Sequence, residues 1–386
     1  MRLSKEFELV AACCRRPADA AADARIRALA DGADWPRVVR IARRHRIEGL
    51  VWDGLRRAGA EPPAREAEAL RDAAARIARQ NLQLTAESLR LARLFGDAAI
   101  DILFVKGVTL GQLAWGSIGL KMGWDIDVLV PPDRVEQAAA LLEGAGYTLT
   151  VPEGPEARQK LAFWHARWKE SVWTRASDGT AVELHTALAD NPALLPGVGL
   201  ASPRQAVAPG GAAALPTLAT APLFAYLAVH GASSAWFRLK WIADVGALLA
   251  PLAPEEIEGL YREAQRLGAG RPAALALLLC RRLFATPIPE TLLAELRRDR
   301  VARLLLALSL RKLAGRAEAR ELEATRLGTA TIHLLQLGLK KGLRFKLGEL
   351  RRQLVSPYDQ LAVPLPRGLG FLYPAVFVGR RLLRRR

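Results

Sequence analysis

The chain is 386 residues long, more than one compact domain usually needs, so one catalytic-size module with large helical additions, or two to three lobes, is expected. Its 51% hydrophobic and 25% charged residues exclude a mainly disordered or fibrous chain. Lys and Arg outnumber Asp and Glu by 56 to 39, a net charge of +17 that points to an anionic partner: nucleic acid, nucleotide, phospholipid or an acidic protein.

Three cysteines, Cys13, Cys14 and Cys280, are too few for a disulfide framework or a four-ligand zinc site, and the adjacent pair is badly placed to bridge itself. A reducing compartment is expected. The opening MRLSKEFELVAACCRR carries Lys5, Glu6 and Glu8 ahead of any apolar run and so lacks the core of a signal peptide. No stretch approaches the roughly 18 apolar residues of a membrane span. The nearest, Gly368 to Gly379, is short and holds Pro374. A soluble cytoplasmic protein is the expectation.

In chain order, residues 1–97 read as helices. Trp35, Val38, Val39, Ala42, His45 and Ile47 recur at three- and four-residue spacing, and on such a face His45 is a packed, hydrogen-bonded side chain rather than a ligand. A long Ala- and Leu-rich helix is predicted from Glu66 to about Phe95, with a break at Gln80-Asn-Leu-Gln and a stop at Gly96. Residues 98–190 change character. A short strand Ile102–Lys106 runs into Gly107, a helix Val108–Trp115 follows, and Gly116, Gly119 and Gly123 stud the connection around Lys121. Next come a strand Asp125–Val130 closed by Pro131-Pro132, a helix Asp133–Ala145 and strands at Tyr147–Val151, Lys169–Arg175 and Thr180–Leu188. Residues 191–355 open with Ala206–Leu215, a hairpin around Pro209-Gly210-Gly211 or a flexible linker, and continue as helices at Pro222–Ala250, Pro254–Leu267, Pro272–Phe284 and repeatedly from Pro289 to about Arg352. Residues 356–386 are basic and interrupted by proline. The expected fold class is α+β: a small mixed β-sheet flanked by N-terminal and C-terminal helical regions.

The chemistry concentrates in Asp125-Ile126-Asp127. On a strand these carboxylates share one face while Ile126, Val128 and Val130 point the other way. Two carboxylates so close repel each other, and a divalent cation such as magnesium relieves that repulsion; taken alone, the pair also suits an exposed strand end. A later strand alternates Val182 and Leu184 with Glu183 and His185, so Glu183 supplies the third carboxylate that two-metal phosphoryl chemistry requires. Lys106-Gly107 stands at a strand-to-helix turn, where backbone N–H groups and a Lys cation can hold phosphate, and Lys121 is a second phosphate candidate. There is no P-loop, dinucleotide fingerprint or nucleophile elbow.

The order Phe-Val-Lys106-Gly107, Asp125-Ile-Asp-Val-Leu-Val, Val-Glu183-Leu-His185 resembles the DNA-polymerase-β-type nucleotidyltransferase superfamily, and in particular a bacterial family of largely uncharacterised nucleotidyltransferases. Trp35 to Leu50, the segment His230 to Asp244 and the end Pro357-Tyr-Asp359 to Tyr373 are similar to that family as well. The resemblance implies a nucleotidyltransferase core that binds an NTP such as ATP with two magnesium ions. In that reading Asp125, Asp127 and Glu183 are catalytic and metal-binding, and Lys106, Gly107, Lys121 and Lys240 bind the nucleotide. Lys121 stands where the relatives usually carry Arg, which keeps the charge but loses the two-pronged fork. Trp124 either stacks on a nucleobase or is packing. His230, Phe237, Trp241 and Asp244 share one face if their helix is continuous, with Arg238 and Lys240 pointing elsewhere. Either Lys240 or Arg238 reaches the phosphates, or the helix is core with a solvated basic edge and a His230–Asp244 pair. His185 orients Glu183, approaches the acceptor, or makes a plain structural hydrogen bond.

The function expected is magnesium-dependent transfer of NMP from an NTP to a hydroxyl-type acceptor, a small molecule, peptide or protein, with release of pyrophosphate. The alternative is a catalytically weak or inactive protein of this fold that binds nucleic acid, an acidic partner or a membrane surface through its basic C-terminal region. Residues 340–386 hold twelve Lys and Arg against Glu349 and Asp359, so +10 of the +17 resides there. They form a solvated basic edge, or an anchor for an anionic membrane or acidic partner around Phe371, Leu372, Tyr373 and Phe377. No specific nucleic acid is expected, since no aromatic-and-basic RNA-binding module stands out.

Overall fold

A computed structural model describes residues 3–314, 330–366 and 368–383. Arg367, Arg384 to Arg386 and any helix over 315–329 lie outside these residues. The chain opens with five helices: α1 (Lys5–Cys13), α2 (Ala20–Ala30), α3 (Trp35–His45), α4 (Glu48–Ala58) and α5 (Ala64–Asp97). Ser4, Asp19 and Asp34 cap the first three by accepting from backbone N–H groups of the first turn. The predicted break at Gln80 is absent, and α5 runs unbroken for 34 residues. Its polar stretch has another use: the Asn81 amide donates to the carbonyls of Ile118 (2.6 Å) and Lys121 (2.5 Å) and accepts from Gly123 N–H (3.1 Å). Asn81 therefore clamps the glycine-studded connection from the helix side.

The sheet follows. Strands β1 (Leu103–Phe104), β2 (Asp125–Leu129), β3 (Tyr147–Val151), β4 (Glu170–Arg175) and β5 (Ala181–His185) lie in the order β1-β2-β5-β4-β3, with α6 (Val108–Trp115), α7 (Val135–Gly144) and α8 (Leu161–His165) between them in sequence. β2 and β5 are parallel and the other pairs antiparallel, so the sheet is mixed, as expected. Ile126, Val128, Val182 and Leu184 are buried on one face with Leu91 and Phe95 of α5 and Ala138 and Leu142 of α7. Burying a Val, Leu, Ile or Phe side chain is worth about 1.5–3 kcal/mol, so this apolar face fixes which way β2 and β5 turn. Their alternate residues are thereby driven to the opposite face.

The segment around Pro209–Gly211 is a hairpin, not a linker: β6 (Arg204–Val207) pairs antiparallel with β7 (Leu215–Leu218). The helix expected over Pro222–Ala250 is two helices, α9 (Thr220–Ser233) and α10 (Leu239–Leu249). Ala235 and Trp236 between them take left-handed conformations, each with φ of 52°. The Trp236 ring folds back so closely that a Cβ on Gly231 would lie 2.2 Å from it, which only glycine tolerates. Burial of Trp236 offsets the strained turn, and the turn swings α10 away from the line of α9.

The remaining helices are α11 (Pro254–Arg266), α12 (Gly270–Phe284), α13 (Glu290–Arg298), α14 (Arg300–Leu313), α15 (Ala330–Gln336), α16 (Leu343–Leu354), α17 (Pro357–Ala362) and α18 (Tyr373–Leu383). Side chains of α1, α3 and α4 share one apolar core with those of α9 to α14. His45 is a packed side chain, as expected: it sits at 3.2 Å from the Leu313 carbonyl through Nε2 and accepts from Leu239 N–H at 3.0 Å through Nδ1. No helix among the described residues is long and apolar enough to cross a membrane.

Candidate active site

β2 and β5 run parallel with Asp127 opposite Glu183 and Leu129 opposite His185. Because the apolar residues face α5 and α7, Asp127, Glu183 and His185 come together on the other face, one ligand atom from each within 4.8 Å of the others. Asp127 and Glu183 floor a cavity of about 240 Å³ whose walls come from α6, α9, α10 and the connection clamped by Asn81, with His185 buried behind them. Asp125, Lys106, Gly107, Lys121, Lys240 and His230 all line it. Asp125 is half-buried at its edge. A larger cavity, about 980 Å³, lies between residues 153–160 and the C-terminal segment and holds none of these residues.

Charges in the cavity are matched at close range. Lys106 Nζ lies 2.7 Å from Asp127 Oδ1, and His185 Nε2 lies 3.1 Å from the same oxygen and 3.4 Å from Glu183 Oε2. Burial opposes charge on Asp127, but the Lys106 cation and the His185 hydrogen bond outweigh it and hold the carboxyl well below its usual range. Burial would likewise lower Lys106, yet Asp127 raises it. Glu183 is pushed up to about 7 by burial and by the Asp127 charge. His185 is raised to about 9, since its bonds to Asp127 and Glu183 overcome burial. The buried Asp127 and its neighbour Glu183 are thus tolerable side by side because Lys106 and His185 stand against them.

Gly107 caps α6 at a φ of 67°, open to glycine and costly for other residues, and so turns Lys106 toward Asp127 while α6 starts at the cavity. On the far wall, Lys121 Nζ lies 3.6 Å from Asp244 Oδ2, and Trp115 Nε1 donates to Asp244 Oδ1 at 2.9 Å. Asp244 therefore serves Lys121 and Trp115, and the His230–Asp244 pair offered by one of the two readings of this helix is not formed. His230 instead meets the Trp241 ring edge-on at 5.3 Å. Lys240 is lowered to about 7, first by burial and then by Lys121.

The broken helix separates the two basic candidates, Lys240 and Arg238. The turn at Ala235 and Trp236 carries Lys240 into the cavity together with Trp241 and Asp244, although a continuous helix would have pointed it elsewhere. Arg238 is used outside it: Nη1 donates to the Arg44 carbonyl at 2.6 Å and the guanidinium covers the Phe237 ring. Trp124 is half exposed, with Arg46 stacked 5.2 Å from its ring centroid.

Sequence reasoning missed Arg46, Lys169, Glu170 and Asp244 as cavity residues. Lys169 pairs with Glu170, whose Oε2 lies 3.3 Å from His185 Nδ1. The pairing of β4 beside β5, with Glu170 opposite His185, is what brings them in, and local sequence does not encode strand order. Arg46 had one signal, a basic residue directly after the amphipathic run that ends α3.

The donor set suits a divalent cation: adjacent carboxylates on a rigid sheet, with an imidazole beside them. Among curated proteins, none matches the chain. The family model described as uncharacterised nucleotidyltransferase matches residues 2–285, about three quarters of the chain, and the protein belongs to that family.

Proposed function

We propose that the protein transfers a nucleoside monophosphate from an NTP to a hydroxyl-type acceptor, a small molecule, peptide or protein, with release of pyrophosphate. The observation that supports this most directly is the register of Asp127 against Glu183, on the sheet face that meets Lys106, Lys121 and Lys240 across one cavity. Asp125, Asp127 and Glu183 would hold magnesium, two ions in this reading, and the metal when bound supplies positive charge to the phosphoryl oxygens. Lys121, Lys240 and the start of α6 at Gly107 bind the triphosphate. Trp124 offers its exposed ring to the base, with Arg46 over one face of it. As the acceptor oxygen bonds to the α-phosphorus, its proton passes to water and the bond from phosphorus to the oxygen bridging to the β-phosphate breaks, so that pyrophosphate leaves. His185 and Lys106 keep Asp127 ionised and oriented throughout.

The test is labelled NTP with magnesium and a cell extract, wild type beside Asp127→Asn, asking which component acquires label. Equal labelling by the variant overturns the proposal. The cytoplasm suits the reaction, a reading supported by three buried, free cysteines.

A second reading is that residues 340–386 bind an anionic partner, with the chemistry weak or absent. It is favoured by the exposed basic residues of α16. Partner affinity that survives Asp125→Asn and falls steeply with salt supports it.

A further inference from the structure

α16 has two faces of opposite function. Inward, Phe345 is buried and the Glu349 carboxylate accepts from Asn191 Nδ2 (2.8 Å), Arg352 Nη2 (2.5 Å) and Gln353 Nε2 (3.0 Å). Outward, at the helical repeat, Leu343, Leu347 and Leu350 fall within about 60° of one another. They are 71%, 56% and 44% exposed. Exposed Arg344 and Arg351 border this stripe on one side and exposed Lys346 borders it on the other. Glu349 is the helix's one acidic residue, and it is turned inward, so the outward face presents leucines and cations alone.

An outward helix face in water is ordinarily polar, and a contiguous exposed apolar stripe marks an interaction surface. Its basic borders choose the occupant. A second copy would set like charges against each other, and nucleic acid has no use for three leucines in a row along the helix. A bilayer satisfies both halves, since acyl chains take the leucines and anionic headgroups meet the cations at the depth where a basic side chain snorkels.

We propose that α16 docks the protein on an anionic membrane surface, lying in the interfacial plane with Leu343, Leu347 and Leu350 inserted and Arg344, Lys346 and Arg351 on lipid phosphates. This deepens the anionic partner of the second reading above and holds whether or not the nucleotide site is active. The experiment is sedimentation of the full-length protein with vesicles of phosphatidylcholine alone and of phosphatidylcholine mixed with phosphatidylglycerol. Binding to the mixed vesicles at least about tenfold above neutral ones is expected, weakening with salt. Leu347→Gln/Leu350→Gln should lose about tenfold in partitioning with an unchanged melting temperature, because both side chains already face solvent. Arg344→Glu/Lys346→Glu should lose the anionic preference, and it decides the matter if the leucine variant does not fold. Four results overturn the inference: wild-type binding by either folded variant, self-association through this face, binding to neither vesicles nor polyglutamate, or binding to soluble polyglutamate without binding to vesicles. The last leaves an anionic partner standing while dismissing the bilayer, and binding to neither dismisses both.

Discussion

Lys106 Nζ and Asp127 Oδ1 lie 2.7 Å apart at the one place where the turn into α6 meets the edge of β2. The ammonium is the counter-charge that allows Asp127 to be ionised while buried, and His185 completes it from the neighbouring strand. Removing one member of such a buried pair leaves the other uncompensated, typically at about 3–5 kcal/mol. Lys106→Met should therefore destabilise the fold by about 3 kcal/mol in urea unfolding, with Asp127 still present. If stability is unchanged, the ion pair carries none of the weight given to it.

Asn81 should matter well beyond its own position. Asn81→Ala deprives the buried Lys121 carbonyl and the part-buried Ile118 carbonyl of their donor and frees the connection that carries Lys121 and leads to Asp125. A loss of about 2 kcal/mol in stability is expected from the unsatisfied groups. NTP affinity, measured by titration calorimetry, should fall at least about tenfold, as expected when phosphate-holding groups lose their fixed positions. Loss of stability without loss of affinity would reduce Asn81 to a structural clamp.

Lys240 gives a pH signature. Its position near 7 means that the free site is only partly charged at neutral pH, whereas a bound triphosphate requires the ammonium. Binding must then take up a proton at Lys240, so the affinity for NTP measured without metal, where no cation displaces the proton of Glu183, should weaken as pH rises above about 7, by up to about tenfold per unit. Lys240→Met should bind more weakly and show a flatter profile. Parallel profiles for the two proteins would exclude Lys240 as the titrating partner.

His45 tests stability alone. Burial holds it down to about 3, against its ordinary value of 6.5. The unfolded chain takes up the proton first, so the contribution of this group is constant above about pH 6.5 and declines as pH falls toward 3. At pH 5 the loss is about 2 kcal/mol relative to pH 8. His45→Gln, compared with wild type by denaturant unfolding at both pH values, should lack that share of the acid sensitivity; an equal pH dependence in both would mean that His45 is protonated in the fold.

Much of the fold was legible from residue patterns because hydrophobic alternation is local. Ile126, Val128, Val182 and Leu184 had to face a core, so Asp127 and Glu183 had to share the opposite face once their strands paired. The strand end before Pro131 was readable just as locally, whereas the segment around Pro209 to Gly211 stayed open between hairpin and linker until β6 was seen to pair with β7. The polar run at Gln80 was read as a break because helix propensity is weak beside tertiary hydrogen bonding, and Asn81 is in fact held by a loop some forty residues away.

What the sequence determined by itself is the family and the identity of the acidic pair, since both depend on residue types at short, fixed spacings. Lys106, Lys121 and Lys240 were named from the resemblance, and tertiary structure decided where each of them stands. Lys240 enters the cavity only because Trp236 folds onto Gly231 and breaks a helix that periodicity would have continued, and Glu170 arrives only because β4 pairs beside β5. It also decided that Leu343, Leu347 and Leu350 face outward, since the inward side of α16 was already taken by Phe345 and Glu349. Each of these depends on which segments meet, and the energy that settles such meetings comes from burial shared among distant residues rather than from any local stretch of chain.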